Sequence, residues 1–185
     1  MTSRDVVEVV GRLRVARVGF WIEGGWGVDA LLGEETRPHD DLDLGVRMTD
    51  VADICAALSD FARSDDEWPS SFVLCDERGR KVDCHPLTFD EHGDGWQANR
   101  SGGPPYRWPR EHLKARGRIG RLDVPCISAE LQIRWHVYDE FDDVDWQDTR
   151  LLAHRFGLQV PEEWRQRPGF VSPKRRRPSS ATSGM

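Results

Sequence analysis

Three aspartates and a histidine stand at spacings that could do chemistry. Asp41 and Asp43 lie two apart in the alternating segment from His39 to Val46. On a β-strand residues i and i+2 share a face, so the two carboxylates project together, about 7 Å apart along the strand. Side-by-side carboxylates repel each other, and a divalent cation or a shared proton is the usual reason to hold them so. The alternative is a strand face on which both simply meet water. A third acid, Asp83, sits mid-strand in Val82-Asp83-Cys84-His85-Pro86; its alternatives are a metal site and a salt bridge to Lys81 or Arg80. His85 shares a strand face with Asp83 and Lys81. Gly24-Gly25 precedes the aspartate pair, and glycines let backbone approach a ligand closely. The open N–H groups of the helix that follows favour an anion.

These groups need a scaffold, and the pattern of apolar residues predicts one. Residues 3–18 read as an amphipathic helix capped by Ser3 and stopped by Gly19. Phe20-Trp21-Ile22 is a buried strand delivering the chain to the glycine pair. Trp26 to Leu32 is a short helix closed by Gly33. The strand from His39 to Val46 is followed by a helix over Asp50 to Ala62, with Val51, Ile54, Cys55, Leu58 and Phe61 inward. A turn over residues 65–69 leads to Ser71–Cys75 and Lys81–Leu87, paired as a hairpin across Glu77-Arg78-Gly79. Residues 90–110, rich in Gly and Pro, read as a long loop. Arg118 to Ile127 holds one or two short strands. Ser128 caps a helix to about Tyr138, a second helix runs from Asp142 to Phe156 and ends at Gly157, and Pro161 starts a last turn. The expected architecture is α+β: a small mixed β-sheet flanked by helices, with C-terminal helices from about residue 128. One domain over 1–166 is expected, and residues 167–185 are expected as a disordered basic tail.

In combination, these residues resemble a family signature. Gly24-Gly25-Trp26, Asp29, the run Arg37-x-His39-x-Asp41-x-Asp43, and Val82-Asp83-Cys84-His85-Pro86 are similar to the antibiotic nucleotidyltransferases. These are the aminoglycoside 2″-adenylyltransferases and lincosamide nucleotidyltransferases of the DNA polymerase β-like nucleotidyltransferase superfamily. The resemblance continues through Phe89-Asp90, Gly93, Gly95-Trp96-Gln97 and Ser128-x-Glu130-x-Gln132 to His136 and Tyr138, over residues 20–157. It implies a Mg²⁺-dependent enzyme, of the kind found in antibiotic resistance, that moves a nucleoside monophosphate to a hydroxyl of a small antibiotic-like acceptor and releases pyrophosphate. ATP, or another NTP, would be the co-substrate. Asp41, Asp43 and Asp83 would hold the metal, with Asp83 also the general base. Gly24, Gly25, Trp26, Arg37 and His39 would bind the nucleotide; Arg37 suits bidentate phosphate contacts, whereas His39 could instead orient an aspartate. His85, Trp96, Gln132 and His136 would border the acceptor. Trp96 is a stacking platform or a cap on the core, and Gln132 and His136 share a helix face that is a site wall or simply solvated. The aminoglycoside-modifying members would favour an acid at position 85, and histidine is closer to the lincosamide-type pattern. Asp29 is expected to fix the glycine turn. Asp142, Asp145 and Asp148 are spaced by three and read foremost as a solvated stripe.

Bulk properties narrow the alternatives. The chain carries 26 Lys and Arg against 32 Asp and Glu, and five of those bases lie in the last nineteen residues, which hold no acid. The acidic body disfavours nucleic acid as a partner and would attract a cation. The N-terminus has no basic start followed by an apolar block, and no run of about 18 apolar residues occurs, so a cytoplasmic protein without a membrane partner is expected. Cys55, Cys75, Cys84 and Cys126 form no C-x-x-C pair and read as reduced thiols. The oligomeric state stays open, a homodimer being one option. Two rival readings accompany the first: the same chemistry directed at tRNA or protein, as in toxin-type nucleotidyltransferases, and a homologue that binds nucleotide or a small molecule without turnover.

Overall fold

Leu42, Leu44 and Val46 are fully buried, and the aspartates that alternate with them are not. That alternation sets the central strand, β2 (Asp41–Arg47), with its apolar face on the core and its acidic face away from it. Each of the three side chains contributes about 1.5–3 kcal/mol by burial, and a slip of one residue would put the acids in the core instead. A computed structural model describes residues 1–136 and 142–160, apart from the side chains of residues 65 and 66. The expected turn at Pro161, the end of the first C-terminal helix at Tyr138 and the tail over 167–185 lie outside the described residues.

The elements before β2 are α1 (Ser3–Val15), β1 (Phe20–Ile22) and α2 (Gly24–Leu32). After it come α3 (Val51–Ala57), β3 (Phe61–Glu67), β4 (Ser71–Asp76) and β5 (Lys81–Phe89). Then follow β6 (Gly95–Gln97), β7 (Tyr106–Trp108), β8 (Arg116–Ile119), β9 (Leu122–Pro125), α4 (Ala129–His136) and α5 (Asp143–Phe156). The main sheet has the order β1-β2-β5-β4-β3, with β6 and β7 added beyond β4 on the end of β5. β2 and β5 are parallel and the other pairs antiparallel. The fold is therefore α+β with a mixed sheet and C-terminal helices. A large core fills the space between α1, α3 and one face of the sheet. A second cluster joins α2, α4 and α5 through Val28, Ile133 and Leu152. No helix of the described residues is long and apolar enough to cross a membrane.

Several local expectations are corrected. Thr2, not Ser3, caps α1: its Oγ1 accepts the Asp5 N–H at 3.3 Å and the Asp5 carboxylate accepts the Thr2 N–H at 3.0 Å. Thr followed three residues later by an acid closes a capping box, which Ser3 could not. The helix ends at Val15, well before Gly19, whose N–H donates to Asp50 Oδ2. The helix after β2 stops at Ala57. Leu58 and Phe61 are buried as the helical period required, but Phe61 already begins β3. The region 90–110 is only partly loop, because β6 and β7 extend the sheet there. β8 and β9 form a separate hairpin that starts at Arg116.

Candidate active site

The parallel pairing of β2 with β5 brings the distant acids together. Asp43 is in register with Asp83, Asp41 with Lys81, and Gly45 with His85. Side chains across from each other share a face, so Asp41, Asp43, Asp83 and His85 stand on one surface of the sheet, opposite the main core. Arg80, the salt-bridge alternative for Asp83, is engaged elsewhere, by Asp76 at 2.7 Å and Glu8 at 3.1 Å. One further acid enters the group. Glu23, buried between β1 and α2, places Oε1 2.7 Å from His85 Nδ1, while His85 Nε2 lies 3.6 Å from Asp83 Oδ1. Three carboxylates, those of Glu23, Asp83 and Asp43, thus act on one imidazole, and Asp41 adds its charge beside Asp43.

The electrostatics follow from that imbalance. Burial, then the charge of Asp41, pushes the Asp43 carboxyl well above the usual carboxylate range; Glu23 and Asp83 add to the rise and His85 opposes it. Burial also raises Asp83, with His85 pulling it back. Burial would lower His85, but the charge and hydrogen bond of Glu23, followed by Asp83 and Asp43, push it up to about 9. Asp83 Oδ1 is buried with no hydrogen-bond partner. Surplus negative charge and an orphaned hard oxygen suit a cation such as Mg²⁺. Among the described residues no three side chains are already drawn into a ready ligand set, so the carboxylates offer oxygens that a metal would gather.

The glycine pair is built into this surface. Gly24 has φ +56°, and a Cβ on it would overlap Asp43 Oδ2. A Cβ on Gly25 would overlap His39 and come within 2.7 Å of Arg37 Nη2. The turn is also the start of α2, with Glu23 as N-cap but without a side-chain cap bond, so the helix's first N–H groups stay open. Behind the turn lies a packed layer. Gln132, almost fully buried, donates from Nε2 to the Gly24 carbonyl at 3.4 Å. His39 is buried, its Nε2 2.5 Å from Asp29 Oδ2 and its ring tilted against Trp26 with centroids 4.6 Å apart. Asp29 also accepts from the Thr36 N–H and hydroxyl, so it fixes the segment after α2. Arg37 clamps the buried carboxylate of Asp148 on α5, with Nη2 to Oδ2 at 2.8 Å. Trp26, Arg37, His39 and Gln132 therefore support the turn from behind; the last three spend polar groups on protein partners, while the Trp26 indole N–H is buried with no hydrogen-bond partner among the described residues. Asp148 loses its charge partner in an Arg37→Ala variant. Loss of about 2 kcal/mol is expected in a thermal melt, below the full penalty of a buried pair because water reaches the arginine.

The remaining expected site residues separate. Trp96 pairs with Thr88, on the face opposite Asp83 and His85, and donates its indole N–H to Asp90 Oδ2 at 2.9 Å; it is not brought to the carboxylates. His136 holds Asp145 Oδ1 through Nδ1 at 2.7 Å, tying α4 to α5. The supposed solvated stripe is corrected: Asp142 caps α5, Asp145 completes that capping box and Asp148 binds Arg37. Two features escaped the sequence reading. One is Glu23. The other is Trp108, whose ring lies so close over Gly45 that a Cβ there would meet it at 2.6 Å. Trp108 packs 5.8 Å from Trp135 and roofs the sheet beyond His85. An invitation to look lay only in Gly45 itself, a glycine in mid-strand.

The family model of aminoglycoside-2″-adenylyltransferase matches residues 5–152. A lincosamide resistance protein of Staphylococcus haemolyticus is 28% identical over 154 residues, spanning 82% of this chain and 94% of that one. A 2″-aminoglycoside nucleotidyltransferase of Escherichia coli is 31% identical over 142 residues, 74% of each chain. The crystal structure of a lincomycin-bound lincosamide antibiotic adenylyltransferase superposes with a TM-score of 0.72 at 27% identity, covering 82% of this chain and 96% of that one.

Proposed function

Because the chain belongs to the aminoglycoside 2″-adenylyltransferase family, we propose that it is an enzyme transferring AMP from ATP to a hydroxyl of a lincosamide or aminoglycoside antibiotic. The lincosamide class comes first: histidine stands at position 85, and a lincosamide resistance protein matches over 94% of its own length. The observation that carries the reading is the shared face of Asp41, Asp43 and Asp83 against the Gly24 turn. A chain that only bound nucleotide would have no use for so costly a cluster of acids.

Asp41, Asp43 and Asp83 would hold Mg²⁺, which when bound neutralises triphosphate charge and draws electron density from the α-phosphorus. The protein's own groups do the rest. The uncapped N–H groups at the start of α2 receive phosphate oxygens. The acceptor hydroxyl oxygen forms a bond to the α-phosphorus, the bond to the β-phosphate oxygen breaks, and pyrophosphate leaves with that electron pair. Asp83 takes the hydroxyl proton; its carboxyl, raised by burial, is a better base than an exposed aspartate.

The direct test mixes protein, ATP and Mg²⁺ with a panel of lincosamides and aminoglycosides. Release of pyrophosphate and a product heavier by one adenylyl group are expected. Absence of turnover with every acceptor would overturn the proposal.

A further inference from the structure

We propose that Glu23 is a positioning residue for the acceptor hydroxyl, holding the His85 ring so that Nε2 and Asp83 Oδ1 face one point. The proposal rests on the adenylyl-transfer reading above and adds to it how the attacking oxygen is placed.

The geometry is specific. Glu23 Oε1 lies 2.7 Å from His85 Nδ1, and the Glu23 side chain is 9% exposed. A carboxylate can only accept, so the proton between them belongs to Nδ1. That assignment holds whether the ring is neutral or charged, and it leaves Nε2 to face Asp83. The 3.6 Å gap from Nε2 to Asp83 Oδ1 is too wide for a hydrogen bond. An oxygen set at about 2.8 Å from both atoms would close a triangle over it. Asp83 Oδ1 is buried and has no hydrogen bond of its own. A hydroxyl suits this point because it donates and accepts at once: it can donate to Asp83 while interacting with Nε2.

Glu23 is well placed to be rigid. Its N–H donates to the Asp43 carbonyl at 3.1 Å and its carbonyl accepts from Gly27 at 2.9 Å. Its backbone therefore joins the strand of acids to the helix behind the glycine turn. The side chain makes no helix-cap bond, so its replacement removes the bond to His85 and leaves the cap of α2 intact.

The experiment compares Glu23→Ala, Glu23→Gln, His85→Ala and the double alanine variant, with ATP and lincomycin, or the panel acceptor that turns over fastest. Misplacing an attacking group costs about tenfold to a hundredfold. A loss of that size in kcat/KM for the acceptor is expected in both alanine variants, with KM for ATP unchanged within about twofold. The double variant should be no worse than His85→Ala, since Glu23 acts through the ring and coupled sites do not add. Glu23→Gln, whose amide oxygen still accepts from Nδ1, should recover most of the activity. Multiplying losses in the double variant, or an equal change in KM for ATP, would overturn the proposal. A second measurement needs no turnover. Nitrogen-15 correlation spectra of the wild-type protein should show His85 protonated at Nδ1 with a strongly downfield proton, lost in Glu23→Ala. If that signal is absent from the wild type, the positioning role fails even where antibiotic is modified. If no acceptor turns over, the adenylyl-transfer reading fails and the spectra alone decide whether Glu23 holds the ring.

Discussion

Asp43→Asn is expected to lower kcat/KM by about a hundredfold to a thousandfold, roughly 2.7–4 kcal/mol of transition-state stabilisation. The same change is expected to raise the thermal midpoint of the metal-free protein at neutral pH. The loss of activity follows from the proposed metal-ligand role of Asp43, and the gain in stability from its surroundings: burial, with Asp41, Glu23 and Asp83 alongside, holds the Asp43 carboxyl well above the ordinary carboxylate range. A raised carboxyl pKa means that the folded state binds the proton more tightly than the unfolded chain. The stability this group contributes is fully present below its unfolded pKa and is lost as pH rises through the folded value. At neutral pH the wild-type protein carries that loss, and asparagine, which cannot ionise, does not. The difference in midpoint between variant and wild type should therefore shrink as pH falls toward 4. Magnesium reverses the ranking. A ligand at a hundred times its Kd adds about 2.7 kcal/mol to the state it binds, so Mg²⁺ should raise the wild-type midpoint and barely move that of the variant. Melts with and without MgCl2, beside steady-state rates, read all three effects. Full activity in the variant, or an equal response to Mg²⁺, would remove Asp43 from the metal site. Function here is set against stability, as a crowd of acids only partly open to water requires.

What the chain order reveals about this site follows the range of the interactions. Asp41 and Asp43 could be placed on one face from spacing alone, because the period of a strand is local and Leu42, Leu44 and Val46 mark the other face. Asp83 joined them through its family motif, and the parallel register supplied the contact. Glu23 and His85 are 62 residues apart, and Arg37 and Asp148 are 111 apart; no periodicity reports pairs of that separation. The sequence therefore puts Arg37 and His39 beside a triphosphate, with His39 alternatively orienting an aspartate, and gives no sign of the bonds to Asp148 and Asp29. Strand β3 has almost no apolar alternation, since its sequence FARSDDE lies at a sheet edge where one side faces water. Strands β6 and β7 have three residues each, too short for a pattern to stand out from a loop rich in glycine and proline. The helices and the strands β2, β4 and β5 are legible because their own burial defines them. The packed layer behind the glycine turn was not, because it exists only where four separate segments meet.

Gly24→Ala tests that layer most sharply, and Gly33→Ala is its control. Both glycines have positive φ, +56° and +80°, and a side chain there costs about 1–2 kcal/mol from backbone strain alone. At Gly33, the C-cap of α2, a Cβ would meet nothing within 4 Å. That variant should lose about 1 kcal/mol of stability and keep its kcat/KM. At Gly24 the added carbon would overlap the Asp43 carboxylate, and neither neighbour can give way cheaply. Asp43 is fixed by its strand, whose carbonyl accepts from Glu23, and the turn is held by Gln132 from behind. The methyl group would push aside a carboxylate proposed to hold the metal and narrow the turn proposed to receive phosphate. We expect about 2–3 kcal/mol of lost stability and a fall in activity of a hundredfold or more. Thermal melts and steady-state rates on the two variants separate the contributions. Equal losses at Gly24 and Gly33 would mean that only backbone strain matters. A loss of activity confined to Gly24 would mean that this glycine is there because an aspartate stands against it, so that the turn and the acids form one site.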